Sequence, residues 1–125
     1  MDENGISKSV IGAAIEVHSI LGVGLLESAH ESALAIELEQ RGLVFRRQLL
    51  LPVQYKGVEV GDGYRVDFLV EERVVVEVKA VSHLAPVHTA QVLTYLRLMG
   101  KRLGLLLNFH AESMRAGVKR IANQM

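Results

Sequence analysis

The run Tyr64-Arg65-Val66-Asp67-Phe68-Leu69-Val70, followed after Glu71-Glu72 by Arg73-Val74-Val75-Val76-Glu77-Val78-Lys79, constrains this chain more than any other stretch. Both halves favour strands, and the short break between them has hairpin spacing. Side chains alternate along a strand. Val66, Phe68 and Val70 then share one face, with Arg65, Asp67 and Leu69 on the other. Val74, Val76 and Val78 make a second apolar face, opposite Val75, Glu77 and Lys79. The hairpin brings Asp67 and Glu77 together with Lys79. Adjacent carboxylates repel and raise each other's pKa unless a cation lies between them. Such oxygen donors suit a hard divalent metal. The competing reading is a solvated face with a cross-strand Glu–Lys pair. Against it stand the valine-dense opposite face and the helical segments available to cover both sides, where inward charges are costly.

Those helical segments come before and after the hairpin. Ser7 to Leu21 has Val10, Ala14, Val17 and Leu21 on one stripe. Leu25 to Arg41 reads as a second helix, stopped by Gly42. Val44–Leu51 and Pro52–Tyr55 read as extended, with Lys56-Gly57 as a turn. A helix is predicted from Pro86 to Met99, a strand from Leu103 to Phe109, and a short helix from Glu112 to Ile121. The order α-α-β-β-β-α-β-α requires at least one parallel strand pair. The expected fold is α/β, a small mixed sheet flanked by helices, in a single domain over residues 1–125.

Composition narrows the chemistry. The chain has no cysteine, which excludes disulfides, thiolate catalysis and cysteine-held metals. Fourteen basic and fourteen acidic residues balance, so any polyanion site must come from local patterning. Three Phe, three Tyr and no Trp make base stacking a poor main mode of recognition. The apolar run from Ser9 to Gly22 is too short to cross a bilayer and is broken by Glu16 and His18. The N-terminus is acidic and polar, unlike a secretory signal. A cytoplasmic protein without membrane attachment is expected.

On the second helix, Glu27, His30, Glu31, Leu34 and Leu38 share one face. A carboxylate on that face needs a partner or a cation; a first-turn Glu27 facing water is the alternative. After Pro86, His88, Gln91 and Tyr95 form a polar ridge. His18, His88 and Gln48 are weaker candidates, with His18 expected to be a hydrogen-bonded core residue. Three basic groups could touch phosphate: Arg46, Arg47 and Lys56; Arg97, Lys101 and Arg102; Arg115, Lys119 and Arg120.

The constellation Asp67…Glu77-Val78-Lys79 is similar to the D…ExK core of the PD-(D/E)XK nuclease superfamily. Gly24-Leu25-Leu26-Glu27-Ser28-Ala29-His30 resembles the pattern that names its GxxExxY family, with His30 where the pattern has tyrosine. Similar matches run through Glu16-Val17-His18, Leu21–Gly24, Pro52–Gly57, Gln91–Leu96 and Gly104–Phe109. The resemblance implies a restriction-endonuclease-like α-β-β-β-α-β core and Mg²⁺-dependent phosphodiester hydrolysis, with Mn²⁺ as a substitute and DNA as the expected substrate. It implies that Asp67, Glu77 and the Val78 carbonyl hold the metal, that Glu27 completes the cluster, and that Lys79 serves the attacking water. Gln91 and Tyr95 would line the site. A homodimer suits two cuts on antiparallel strands. Alternatives are a catalytically inactive binding or regulatory module of the same fold, and a defence component acting on RNA.

Overall fold

The computed structural model describes residues 1–61 and 63–124. Asp2 starts the first helix: its carboxylate accepts the Gly5 N–H at 2.8 Å, a side-chain N-cap. Helix α1 therefore begins at Glu3, ahead of the expected Ser7, and runs to Leu21. It buries Ile6, Val10, Ala13, Ala14 and Val17. Helix α2, Glu27–Gln40, buries Leu34, Ala35 and Leu38.

Strand β1, Phe45–Leu51, pairs antiparallel with β4, Tyr64–Val70; between them a small hairpin, β2 (Gln54–Tyr55) and β3 (Val58–Glu59), turns at Lys56-Gly57. Glu71 and Glu72, both at positive φ, turn β4 into β5, Val74–Lys79. Glu72 pairs with Arg46, and Glu71 accepts the Val44 N–H, so the start of β1 pins this turn. Helix α3, Pro86–Met99, then crosses over to β6, Leu103–Asn108, which lies parallel to β5. The sheet order is β1-β4-β5-β6-β7.

The last element corrects the sequence reading. Glu112–Ile121 is not one helix: α4 is a single turn, Met114–Gly117, and β7, Val118–Ala122, pairs antiparallel with β6. A Cβ on Gly117 would lie 2.3 Å from the Asn108 carbonyl oxygen, so the chain passes too close to the end of β6 for any other residue. The buried β6 backbone then gains its second ladder.

Two apolar layers result. Phe68, Val70, Val74, Val76 and Val78 pack under α1 and α2, and Val66, Leu69, Val75 and Leu106 pack with Val92, Tyr95 and Leu96 of α3. Strict alternation in β4 fails at one point. Val66 joins the α3 layer with Leu69 rather than the layer of Phe68, so the strand is irregular at Asp67. This five-stranded mixed sheet between helices is consistent with a restriction-endonuclease-like fold. No helix among the described residues is long and apolar enough to cross a membrane.

Candidate active site

The irregularity in β4 sits where three strands open. The β1–β4 ladder pairs Arg47 with Phe68 and Leu49 with Val66, omitting Gln48 and Asp67; the β4–β5 ladder ends at Phe68 and Val76. Side chains fill the gap. Asp67 N–H donates to Glu77 Oε1 at 2.9 Å, and Val78 N–H donates to Asp67 Oδ2 at 2.9 Å. Each carboxyl thus caps backbone of the other strand. A strand residue sends its N–H and C=O to the same edge, so the Val78 carbonyl also faces the Asp67 side, beyond the last paired rung.

Burial sharpens the electrostatics. Glu77 is 3% exposed. Its carboxyl is pushed up to about 8, chiefly by burial and then by the Asp67 charge, with Lys79 pulling the other way. Asp67 is also raised, first by burial, against a hydrogen bond from Val78 that favours its charged form. Tyr95 is 2% exposed, set edge-on to Tyr64 with ring centroids 5.4 Å apart. Burial, Glu77 and Asp67 all raise its hydroxyl above the ordinary tyrosine range, which keeps it a neutral O–H. Lys79, half-buried at the end of β5, lines a cleft of about 490 Å³ with Tyr64, Val87, His88, Gln91 and Thr94.

A family model described as the PD-(D/E)XK nuclease superfamily matches residues 4–121. The chain belongs to the PD-(D/E)XK nuclease superfamily. No curated protein and no solved structure matches the chain significantly. The superfamily's nucleases generally use divalent metal ions, and the donors of this PD-(D/E)XK protein fit one. Asp67 and Glu77 supply hard carboxylate oxygens beside an outlying carbonyl, and both carboxyls are raised first by burial and further by neighbouring negative charge. Among the described residues no cluster of three or more His, Cys, Asp or Glu converges on one point. The fit therefore rests on two carboxyls and backbone, a donor set that matches a cation that keeps several waters.

The sequence-selected residues separate into two groups. Asp67, Glu77 and Val78 meet directly, Lys79 and Gln91 share the adjoining cleft, and Tyr95 packs beneath it. Glu27 does not join them. It is exposed in the first turn of α2 and makes no hydrogen bond to Asp67 or Glu77, because a first-turn position faces water beyond the packed part of the helix. One turn deeper, Glu31 is 9% exposed and reaches the site through Gln48, whose Nε2 lies 2.9 and 2.8 Å from the Glu31 oxygens and 3.2 Å from Asp67 Oδ1. Sequence reasoning placed Glu31 on the right face without giving it a role. The usable signal was its place between His30 and Leu34, both buried.

Other expectations also change. Arg46 is paired with Glu72 and Arg47 with Glu31, so a phosphate would have to compete with a carboxylate for either guanidinium. His30 is 1% exposed, stacked on Phe109 at 4.7 Å, with Nε2 3.0 Å from the Gly22 carbonyl; it closes the α1–α2 connection. His18 contacts the Ala111 carbonyl at 2.7 Å as expected, but it is half-buried and lines a surface cleft with Ile15, Ser19 and Glu112 rather than lying in the core. His88 Nδ1 accepts the Ala85 N–H at 2.9 Å and so caps α3 at the mouth of the cleft.

Proposed function

We propose that the protein is a metal-dependent nuclease that hydrolyses phosphodiester bonds in DNA. The reading takes residues 1–125 as one nuclease domain of the GxxExxY group. The observation that carries it is the interlock of Asp67 and Glu77 across the opened β4–β5 rung, with Glu77 buried and Lys79 at the adjoining cleft. Burial first, and then the charge of a neighbouring acid, raises both carboxyls, the pattern of perturbed acids in which functional sites are enriched.

Asp67, Glu77 and the Val78 carbonyl would hold Mg²⁺, or Mn²⁺ in its place. The ion would supply positive charge to the phosphoryl oxygens and acidify water at neutral pH. Lys79 orients or deprotonates the attacking water and stabilises charge on the phosphate. Gln91, from α3, positions the phosphate or the Lys79 amine. Tyr95, kept neutral, offers its hydroxyl as a donor from the floor of the site. With few aromatics, binding depends on backbone shape and charge rather than on base stacking.

The test is cleavage of a panel of linear, branched and single-stranded DNA and of RNA, with Mn²⁺ or Mg²⁺. Lys79→Ala is expected to abolish cleavage while leaving Mn²⁺ binding largely intact. Unchanged turnover in that variant removes Lys79 from the mechanism. Metal binding with no cleavage of any substrate favours the inactive binding module instead.

A further inference from the structure

Arg47 and Gln48 are neighbours in β1, and neighbours in a regular strand point to opposite faces. Here both reach the same carboxylate. Arg47 Nη2 donates to Glu31 Oε2 at 2.8 Å, and the Gln48 amide lies within 2.9 Å of both Glu31 oxygens. The backbone makes this convergence possible: Gln48 has φ +49°, in the left-handed region that side chains other than Gly, Asn and Asp seldom enter. The departure falls at the rung where Gln48 would face Asp67, the same rung at which β4 also leaves β5.

We propose that Gln48 is a positioning residue of the metal centre, its amide spanning from Glu31 to Asp67 and fixing the plane of the Asp67 carboxylate that receives the cation. The proposal rests on the nuclease reading above. The amide nitrogen has two hydrogens and faces three carboxylate oxygens, two on Glu31 and Asp67 Oδ1 at 3.2 Å. Its orientation is therefore forced, since its own carbonyl oxygen turned toward these acceptors would only repel them. Asp67 Oδ2 is already held by the Val78 N–H. Val78 N–H on one oxygen and the Gln48 amide on the other brace the plane of the carboxylate from both sides. The neutrality of the amide is essential. A Lys or Arg here would neutralise Asp67 and compete with the cation, and a Glu would add a third negative charge. Arg47 offsets the charge of Glu31, so Glu31 acts as the anchor of the strut.

Two measurements on the full chain test this. In ¹H–¹⁵N spectra, the Gln48 side-chain amide is expected to be displaced from free-glutamine positions and to move in both Glu31→Gln and Asp67→Asn. Free-glutamine signals overturn the strut. In calorimetric titration with MnCl₂, Gln48→Gly suits the left-handed backbone but lacks the amide. It is expected to melt no lower than wild type and to bind Mn²⁺ roughly tenfold more weakly, the usual size of a supporting-residue effect. Gln48→Ala, which keeps the strain, should show the same loss of Mn²⁺ affinity with a lower melting temperature than Gln48→Gly. Mn²⁺ affinity within about twofold of wild type in Gln48→Gly, well below that usual loss, overturns the positioning role. Intact strut signals in a wild-type protein that takes up no Mn²⁺ overturn the nuclease reading, and the metal-positioning role falls with it; the two failures are thus distinguishable.

Discussion

At Glu77 a carboxyl that is 3% exposed meets the Asp67 charge across the opened rung, with Lys79 two residues further along the strand. Its pKa rises from an ordinary 4.5 to about 8. The folded protein therefore holds this proton more tightly than the unfolded chain does. The resulting stability is full below about pH 4.5 and is lost as pH rises through about 8, and Asp67 shifts in the same direction. Over that window the metal-free protein should lose on the order of a few kcal/mol. Thermal unfolding in EDTA should show wild type melting progressively lower from about pH 5 to pH 9, with a much flatter profile in Glu77→Gln. Parallel profiles for the two proteins would mean that Glu77 is ionised in the fold. Gln48 is the second costly residue: its left-handed backbone spends roughly 1–3 kcal/mol. Both costs fall on one rung, as expected where a site is held against the preferences of its own residues.

Elements bring this rung to the cleft. Gly104 in β6 lies under α3, and a Cβ there would come within 2.5 Å of Val92 Cγ1. α3 can approach the sheet closely enough to set Gln91 beside Lys79 because Gly104 has no side chain. Gly104→Ala is expected to destabilise the fold by ~1–3 kcal/mol through overpacking, read as a lower melting temperature, and Gly104→Ala with Val92→Ala should recover part of it. An unchanged melting temperature in the single variant would show that α3 sits further from the sheet. The β4–β5 hairpin, α1, α2 and α3 were legible because their periods and turns are local: Asp67, Glu77 and Lys79 came straight from counting strand residues. What failed was non-local. Alternation put Val66 with Phe68, but the side-chain contacts of Asp67 and Glu77 open the ladder between them. Local spacing over Glu112–Ile121 favours a helix, but β7 forms because its pairing is set by the open edge of β6 and by the close passage at Gly117. Spacing puts Glu27 and Glu31 on one face and the family resemblance singles out Glu27, but depth in the helix decides which carboxylate is buried.

The whole molecule carries no net charge, and its cations are partly spoken for: Arg41 pairs with Glu37, Arg46 with Glu72, Arg47 with Glu31 and Arg73 with Glu3. Long-range attraction to a polyanion is therefore weak, and on the proposed reading a cation at Asp67 and Glu77 would be a main local source of positive charge for phosphate. Folding and metal binding would then be linked. A cation bound only by the native state stabilises it by ~2.7 kcal/mol at a hundred times its Kd, which for a chain of 125 residues is a rise in melting temperature on the order of 10 °C. The ion must displace the Glu77 proton, so the rise should be smaller at about pH 6 than at about pH 8.5. EDTA should reverse it, and Asp67→Asn should remove most of it. A rise of equal size in Asp67→Asn, or one that does not grow with pH, would locate Mn²⁺ away from this rung and leave the two acids as structural caps of a splayed hairpin.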